Sequence, residues 1–181
     1  MASPLGGETK FVKTLRLVTG RDRALPSVAL VTEHILERGG ELVALVSHHG
    51  VQLGATNAVQ AFHEYRLRDM GRPGRDLLRG MLPPKVAKMM VNLACPARGG
   101  AGVSDGGLIL DPFCGSGTIL QEALLLGHRV VGSDIDRSAV DDTRKNLAWL
   151  KKDGRLFVSD VRYISNHLDK QSIDAIVTEP Y

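Results

Sequence analysis

This sequence contains few of the residues from which metal sites and disulfides are built. Its 181 residues include two cysteines, Cys95 and Cys114, with no histidine or further cysteine at ligand spacing. The six histidines include the pair His48-His49, but none forms a His-x-x-x-His or His-x-Glu pattern. We therefore expect no metal ion, and we expect two reduced thiols of the kind found in cytoplasmic proteins.

Long hydrophobic runs are also missing from the sequence. The first residues, MASPLGGETKF, lack the apolar core of a signal peptide, and no apolar run approaches membrane-spanning length. Hydrophobic residues make up 43% of the chain and charged residues 24%, as in folded globular proteins. The sequence predicts a cytoplasmic protein with no membrane association.

The charge is unevenly distributed along the chain. Residues 1–100 carry 14 Lys and Arg against 8 Asp and Glu, a net +6, whereas residues 101–181 carry 9 against 12, a net −3. This division favours an anionic partner for the first part and a different task for the second. Ordinary solvated surface charge remains an alternative.

Residues 1–62 have the pattern of a small α+β segment. A strand is predicted in FVKTLRLV and a helix in SVALVTEHILERGG, which stops at its two glycines. Two β-runs about the turn SHHG follow in ELVALVSHHGVQLGATNAVQ. These elements are too few to close a core, so the segment is expected to be part of a larger domain.

Residues 63–82 are predicted to be a basic linker, which contains EYRLRDMGRPGRDLLRG. Guanidinium groups are planar and permanently charged, which suits contacts with phosphate. Packing of these arginines at a domain boundary is the alternative. Together with a lysine of the next helix, the candidate phosphate contacts are Arg66, Arg68, Arg72, Arg75, Arg79 and Lys85.

A helix is predicted in LPPKVAKMMVNLA, with Pro84 in its first turn. Val86, Met89, Met90 and Leu93 recur at spacings of three and four, so they share one face. We expect this face to lie in the core.

After the glycine-rich stretch CPARGGAGVSDGG, strand and helix patterns alternate. The order is strand LILDPF, helix TILQEALLLG, strand RVVGSDID, helix SAVDDTRKNLAWLK, strand RLFVSD and strand DAIVTEPY. Such alternation predicts right-handed βαβ units and a parallel sheet. Over residues 83–181 we therefore expect an α/β fold, with a doubly wound, mostly parallel and incomplete Rossmann-like sheet.

Acidic residues stand at the carboxyl ends of these strands, where ligands of open parallel sheets bind. They are Asp111, Asp134, Asp136, Asp160 and Glu179. Carboxylates at a partly buried edge need hydrogen-bond donors, which a ligand rich in hydroxyl and amino groups would supply. Asp136 has the alternative role of N-cap for the next helix, which we favour.

The loop after the first of these strands indicates the kind of ligand. Gly115 and Gly117 allow a tight turn and close approach of a ligand, but Leu120 stands where the dinucleotide fingerprint has its third glycine. Asp111 would repel a pyrophosphate, which disfavours a nicotinamide oxidoreductase. It suits a cofactor with nearby positive charge, such as S-adenosylmethionine. Asp134 could bind the ribose hydroxyls of either cofactor.

Four stretches resemble motifs of the N2-guanine and amino methyltransferases. Their cofactor loop, usually Asp-Pro-Phe-Cys-Gly-Ser/Thr-Gly-Ser/Thr, is similar to DPFCGSGT. Their ribose-binding strand end resembles GSDID, the acid that holds their adenine amino group resembles that of VSDV, and their target-amine motif resembles TEPY. The stretch NAVQAFHEYRLRDMGRPGRDLLRGMLPPKVAKMMVNLA resembles the junction in THUMP-domain tRNA guanosine-10 N2-methyltransferases, and the segment before it is similar to the tail of a THUMP domain.

The resemblance implies an S-adenosylmethionine-dependent enzyme that methylates the exocyclic N2 amine of guanosine in tRNA. The candidate phosphate contacts then become RNA contacts. The implied cofactor-binding residues are Asp111, Pro112, Phe113, Cys114, Gly115, Ser116, Gly117, Asp134, Ile135, Asp160 and Val161. The implied catalytic residues are Glu179, Pro180 and Tyr181.

These last three residues have distinct implied roles. The Glu179 carboxylate and the Pro180 carbonyl would accept both amine hydrogens, so that the nitrogen lone pair faces the methyl group. Glu179 would take the released proton, and Tyr181 would stack on the base. The sequence departs from the family here, because it has one proline instead of two and Glu instead of Asp or Asn.

The family's sheet continues beyond this motif, so we expect the chain to be a fragment cut at both ends, with little or no turnover. Two other functions share its features. Methylation of DNA adenine or ribosomal RNA guanine would use the same cofactor residues. An inactive RNA-binding fragment would also fit the departures in the target motif.

Overall fold

The structure is a computed structural model of the protein. It describes residues 27–38, 40–75, 80–95 and 106–180. The chain divides into two compact units, Met1–Gln60 and Ala61–Tyr181. Within the described residues, no helix combines the length and apolar character needed to cross a membrane.

The first unit contains two short helices and a hairpin. Helix α1 spans Ser27–Thr32 and α2 spans Ile35–Arg38, separated at His34, whose φ of 52° is left-handed. The single predicted helix is therefore two. Strands β1, Glu41–Ser47, and β2, Gly50–Thr56, pair antiparallel about the predicted turn, which confirms the hairpin. The strand predicted in FVKTLRLV lies outside the described residues.

The second unit begins with helices and continues as an α/β alternation. Its elements are α3 (Phe62–Arg66), a π-helical turn (Leu67–Gly71), α4 (Pro84–Ala94), β3 (Gly106–Asp111), α5 (Thr118–Leu125), β4 (His128–Asp134), α6 (Arg137–Trp149), β5 (Arg155–Val158), a 3-10 helix (Val161–His167) and β6 (Ala175–Ile176). The predicted order of strands and helices from β3 to β6 is confirmed.

Four parallel strands form one sheet in the order β5-β4-β3-β6. The chain moves outward from β3 to β4 and β5, and then returns to add β6 on the other side of β3. Leu110 of β3 is accordingly paired with Val131 on one side and Ile176 on the other. This reversal of direction beside β3 is the switch point of a doubly wound sheet, which confirms the predicted fold class.

Helices α4, α5 and α6 contribute to one apolar core with the sheet. Its buried members include Ala87 and Val91 of α4, Leu120 and Ala123 of α5, Leu147 of α6 and Ile109 of β3.

The predicted core face of α4 is only partly correct, because Met90 packs against the core but Val86, Met89 and Leu93 are exposed. Met89 is 62% exposed and Leu93 80% exposed, whereas Ala87 and Val91 are fully buried. Because both faces of α4 carry apolar residues, spacing alone could not decide between them. The smaller side chains face α5.

Candidate cofactor and active site

The loop between β3 and α5 is folded against the ends of β4 and β6. Asp111 is almost fully buried, and its Oδ1 accepts hydrogen bonds from the Phe113 backbone N–H (3.2 Å) and the Thr178 hydroxyl (2.7 Å). The Cys114 N–H donates to the Ser133 carbonyl of β4 at 2.8 Å. The loop is thus attached to the strands on both sides of β3.

Both loop glycines have left-handed backbone conformations, with φ of 52° at Gly115 and 81° at Gly117. A Cβ at Gly117 would lie 2.7 Å from Thr143 Cγ2, so this position has no room for a side chain. The geometry agrees with the tight turn expected from the sequence.

Asp134 connects the end of β4 to this loop. Its Oδ2 accepts a hydrogen bond from the Gly115 N–H at 2.9 Å, and its Oδ1 accepts one from the Asp136 N–H at 3.0 Å. Each carboxylate oxygen has a second lone pair that can accept a bond from a ligand hydroxyl. Asp136 in turn caps α6 by accepting from the Ser138 N–H at 2.8 Å, which confirms the predicted cap.

Burial raises the pKa of Asp111 to about 6. The bonds from Thr178 and Phe113 oppose this rise, and the negative charges of Asp134 and Glu179 add to it. A cation bound at this edge would favour the charged form of Asp111. Burial also raises the pKa of the neighbouring Cys114 thiol to about 12, so this thiol stays protonated.

The stretch TEPY, the predicted target-amine motif, begins beside Asp111. Thr178 binds the Asp111 carboxylate directly, and the next two residues, Glu179 and Pro180, are exposed. Glu179 lies close enough for its charge to act on Asp111. Tyr181 lies outside the described residues. The structure therefore brings Glu179 to the same sheet edge as Asp111 and Asp134.

Asp160 follows β5 and is engaged by Arg162. The guanidinium donates to both carboxylate oxygens, with Nη2 at 2.6 Å from Oδ2, and the Arg162 N–H donates to Oδ1 at 2.9 Å. The guanidinium hydrogen bonds lower the pKa of Asp160 to about 2. A ligand amino group would share this carboxylate with Arg162.

Three apolar side chains are exposed after the ends of β3, β4 and β5. Phe113 is 40% exposed, Ile135 70% and Val161 37%. All three are predicted cofactor-binding residues, and their exposure leaves them accessible to a ligand.

The predicted basic linker lies within the second compact unit, and its arginines have different environments. Arg68 is buried and its Nε donates to Glu122 Oε1 of α5 at 2.6 Å, and Arg72 is buried and donates to the Thr118 hydroxyl at 2.6 Å. These contacts favour the packing alternative for both side chains. Arg66 and Lys85 are exposed. Arg79 lies outside the described residues.

Sequence reasoning missed two buried polar residues of α6 that hold the loop from behind. The Thr143 hydroxyl donates to the Gly115 carbonyl at 2.7 Å, and the Asn146 amide donates to the Ser116 carbonyl at 2.8 Å. Both side chains are fully buried. The sequence does contain a signal for them. Thr143 and Asn146 continue the buried face of α6 that begins with Ala139 and Val140, and polar residues at positions where apolar ones are expected indicate a specific role.

No group of three or more His, Cys, Asp or Glu residues suited to a metal ion occurs within residues 27–38, 40–75, 80–95 and 106–180. Cys95 and Cys114 are both free thiols.

Residues 72–181 match the family model UPF0020, described as an RMKL-like methyltransferase domain. Two curated relatives are named tRNA (guanine(10)-N2)-dimethyltransferase. The protein from Methanothermobacter thermautotrophicus is 48% identical over 102 residues, which are 56% of this chain and 27% of the relative. The protein from Methanocaldococcus jannaschii is 38% identical over 128 residues, which are 65% of this chain and 34% of the relative.

This chain thus spans about a third or less of the length of these curated relatives. Among solved structures, a putative RNA methyltransferase from Pyrococcus horikoshii aligns over 55% of this chain and 46% of its own, with 27% identity and a TM-score of 0.43.

Proposed function

This chain belongs to UPF0020, the family of RMKL-like methyltransferase domains, and from that premise we propose that it uses S-adenosylmethionine to methylate the exocyclic N2 amine of a tRNA guanosine. The observation that carries the proposal is the acidic edge formed by Asp111 and by Asp134, which binds the Gly115 N–H. The names of the two archaeal relatives support tRNA guanine as the substrate.

The residues at the edge fit the proposed cofactor. Its ammonium and sulfonium groups are cationic and would meet the acidic side of the loop, where a pyrophosphate would be repelled. Asp134 would accept the ribose hydroxyls, and Asp160, together with Val161, would contact the adenine. S-adenosylmethionine supplies the methyl group as an electrophile.

The chain's own residues would prepare the amine. The guanine N2 lone pair is delocalised into the ring, so the amine needs acceptors for its two hydrogens. The Glu179 carboxylate and the Pro180 carbonyl would supply them and direct the lone pair to the methyl carbon. As the N–C bond forms and the S–C bond breaks, Glu179 would accept the amine proton. Tyr181 would stack on the base.

We propose an RNA contact surface around Tyr65, formed by Arg66, Lys85 and Lys88. The ammonium groups of Lys85 and Lys88 lie 5.6 Å and 5.9 Å from the centre of the Tyr65 ring. Arg66 and Lys85 also line a cavity of about 220 Å³ with Tyr65 and Phe62, and its wall includes one carboxylate, that of Asp69. Cations beside aromatic rings suit phosphates and bases of RNA. Arg75 and Arg79 remain candidates for RNA contacts, as the sequence predicts.

The first unit, with its two helices and hairpin, we propose to be part of a THUMP-like domain, as the sequence resemblance implies. We also propose a cytoplasmic location, because the proposed substrate is tRNA.

The test is calorimetric titration of the purified chain with S-adenosylhomocysteine. We expect binding by the natural chain and a dissociation constant about 10 to 100 times larger for Asp134→Asn, because a charged acceptor is lost from the ribose contact. Asp136→Asn is the matched control, since it removes the same charge two residues away and keeps an N-cap side chain.

Failure of the folded natural chain to bind S-adenosylhomocysteine would contradict the proposed cofactor site. Binding of NADH in its place would favour an oxidoreductase. If the chain bound S-adenosylhomocysteine and retained DNA but not tRNA, methylation of DNA adenine would replace the proposed substrate.

A further inference from the structure

The Asn146 side chain links the glycine loop to a segment far upstream in the sequence. Its Nδ2 donates to the carbonyls of Ser116 and Gly74, both at 2.8 Å, and its Oδ1 accepts from the Gly74 N–H at 2.7 Å. The side chain is fully buried. Both amide hydrogens and the amide oxygen are therefore used, and all three bonds join the upstream segment or the loop to α6.

Gly74 makes this link possible because it lies against the backbone of α6. A Cβ at Gly74 would lie 2.7 Å from the Asp142 carbonyl oxygen and 2.9 Å from Asp142 Cα. Backbone atoms cannot move aside as a flexible side chain can. Any side chain at position 74 would push the upstream segment away from α6 and stretch its bonds to Asn146.

Two buried arginines hold the same upstream segment to α5. The Arg72 guanidinium donates to the hydroxyl of Thr118, the first residue of α5 and the residue after Gly117. Arg68 donates to both carboxylate oxygens of Glu122, at 2.6 Å and 3.4 Å. We call residues 68–75 the docking segment. It holds the loop at two points, at Ser116 through Asn146 and at Thr118 directly.

We propose that Asn146 and Gly74 are positioning residues for the cofactor. Through them and Arg72, the docking segment fixes Ser116–Thr118 in the conformation in which the loop binds the cofactor. Neither residue belongs to the proposed cofactor contacts, so each acts through the loop. The inference rests on the proposed function, because it assigns to this loop the binding of S-adenosylmethionine. The carbonyls of Gly115 and Ser116 are held by α6, which fixes the peptide planes on which the loop's N–H directions depend.

The test compares two glycine substitutions in the full chain. Gly74→Ala displaces the docking segment. Gly154→Ala is the control for a tightly packed glycine elsewhere in the same unit, because its Cβ would lie 2.6 Å from Val130 Cγ2 and 3.3 Å from Leu147 Cδ1. We expect Gly74→Ala to raise the dissociation constant for S-adenosylhomocysteine about tenfold or more, and Gly154→Ala to change it less than about twofold.

A second readout does not depend on the cofactor. Cys114 is buried in the loop, so its rate of alkylation by iodoacetamide reports loosening of the loop; a Cys95→Ser background removes the other thiol. Gly74→Ala should accelerate alkylation of Cys114 well beyond Gly154→Ala. If the natural chain failed to bind S-adenosylhomocysteine, the proposed function would fail, and this readout would still decide the inference.

Asn146→Asp provides a second variant if Gly74→Ala does not fold. It keeps the size and the acceptor for the Gly74 N–H but places an oxygen against the carbonyls of Gly74 and Ser116, so we expect the same two effects. The proposal would be overturned if the natural chain, Gly154→Ala and whichever of Gly74→Ala and Asn146→Asp folds had equal dissociation constants and equal alkylation rates. The docking segment would then have a purely structural role.

Discussion

The Asp111 carboxylate is buried at the carboxyl end of β3, where it accepts a hydrogen bond from the Thr178 hydroxyl and is affected by the charges of Asp134 and Glu179. Its folded-state pKa of about 6 lies above the ordinary value of 3.8. Folding therefore favours the neutral carboxyl. The stability that this group contributes is fully present below its ordinary pKa and is lost as the pH rises through about 6. At neutral pH the ligand-free chain holds a buried charge that a cationic ligand would offset.

We expect Asp111→Asn to stabilise the ligand-free chain at pH 8, because asparagine can still accept the bonds from Thr178 and Phe113 without a buried charge. The gain should be on the order of 2 kcal/mol and should fall toward zero below about pH 4, where the aspartic acid is itself neutral. Urea unfolding of both chains across this pH range measures the difference. A variant less stable than the natural chain at pH 8 would contradict this account of Asp111.

Among the elements, α5 is buried on nearly every side, and it includes a charged residue. Glu122 of α5 is fully buried and is paired with Arg68, 54 positions away in sequence. A buried carboxylate without its partner is strongly destabilising, whereas replacement of both partners by apolar residues is often neutral. The pair therefore fixes where the docking segment lies and adds little net stability of its own.

We expect Arg68→Met to lower the free energy of unfolding by about 3–5 kcal/mol, since it leaves Glu122 buried without a guanidinium. Combining it with Glu122→Leu should recover most of this loss. Chemical unfolding of the two single variants and the double variant gives the coupling energy. If the double variant lost the sum of the two single effects, the two residues would not be coupled.

The sequence predicted the elements whose formation depends on residues close together in the chain. The alternation of strands and helices from β3 to β6 follows from apolar periodicity, and the site edge follows from acids such as Asp111 and Asp134 placed at strand ends. The buried face of α4 could not be predicted, since both of its faces are apolar. Contacts such as that between Asn146 and Gly74 join residues 72 apart in sequence, and no local pattern records them.

At the scale of the whole molecule, the structure shows where some of the basic charge of residues 1–100 and some of the acidic charge of residues 101–181 lies. Some of the basic charge is consumed inside the fold, because Arg68 and Arg72 are buried. Part of the acidic excess is concentrated at the sheet edge with Asp111 and Asp134. Net charge alone therefore overstates what the surface offers to RNA, although Arg66 and Lys85 are exposed among the described residues.

We expect the double variant Arg66→Gln, Lys85→Gln to bind tRNA more weakly and with a smaller salt dependence. Each lost phosphate contact should reduce the slope of log K against log salt concentration by about 0.7–0.9. Filter binding at several salt concentrations measures both quantities. Lys152→Gln, Lys170→Gln is the control, since it removes two exposed charges from other elements. Equal slopes for the two double variants would remove the Tyr65 surface from the RNA interface.

The docking segment has a consequence for how this module could be recombined with other domains, in evolution or by design. A fusion joined at residue 83, the predicted start of the α/β domain, would discard Arg68 and Gly74. Glu122 would lose the guanidinium that pairs with it, and the Asn146 side chain would lose its hydrogen bonds to the Gly74 backbone. A fusion joined at residue 61 would retain both. The transferable module is therefore longer than its α/β pattern, and its boundary lies ahead of Arg68 and Arg72.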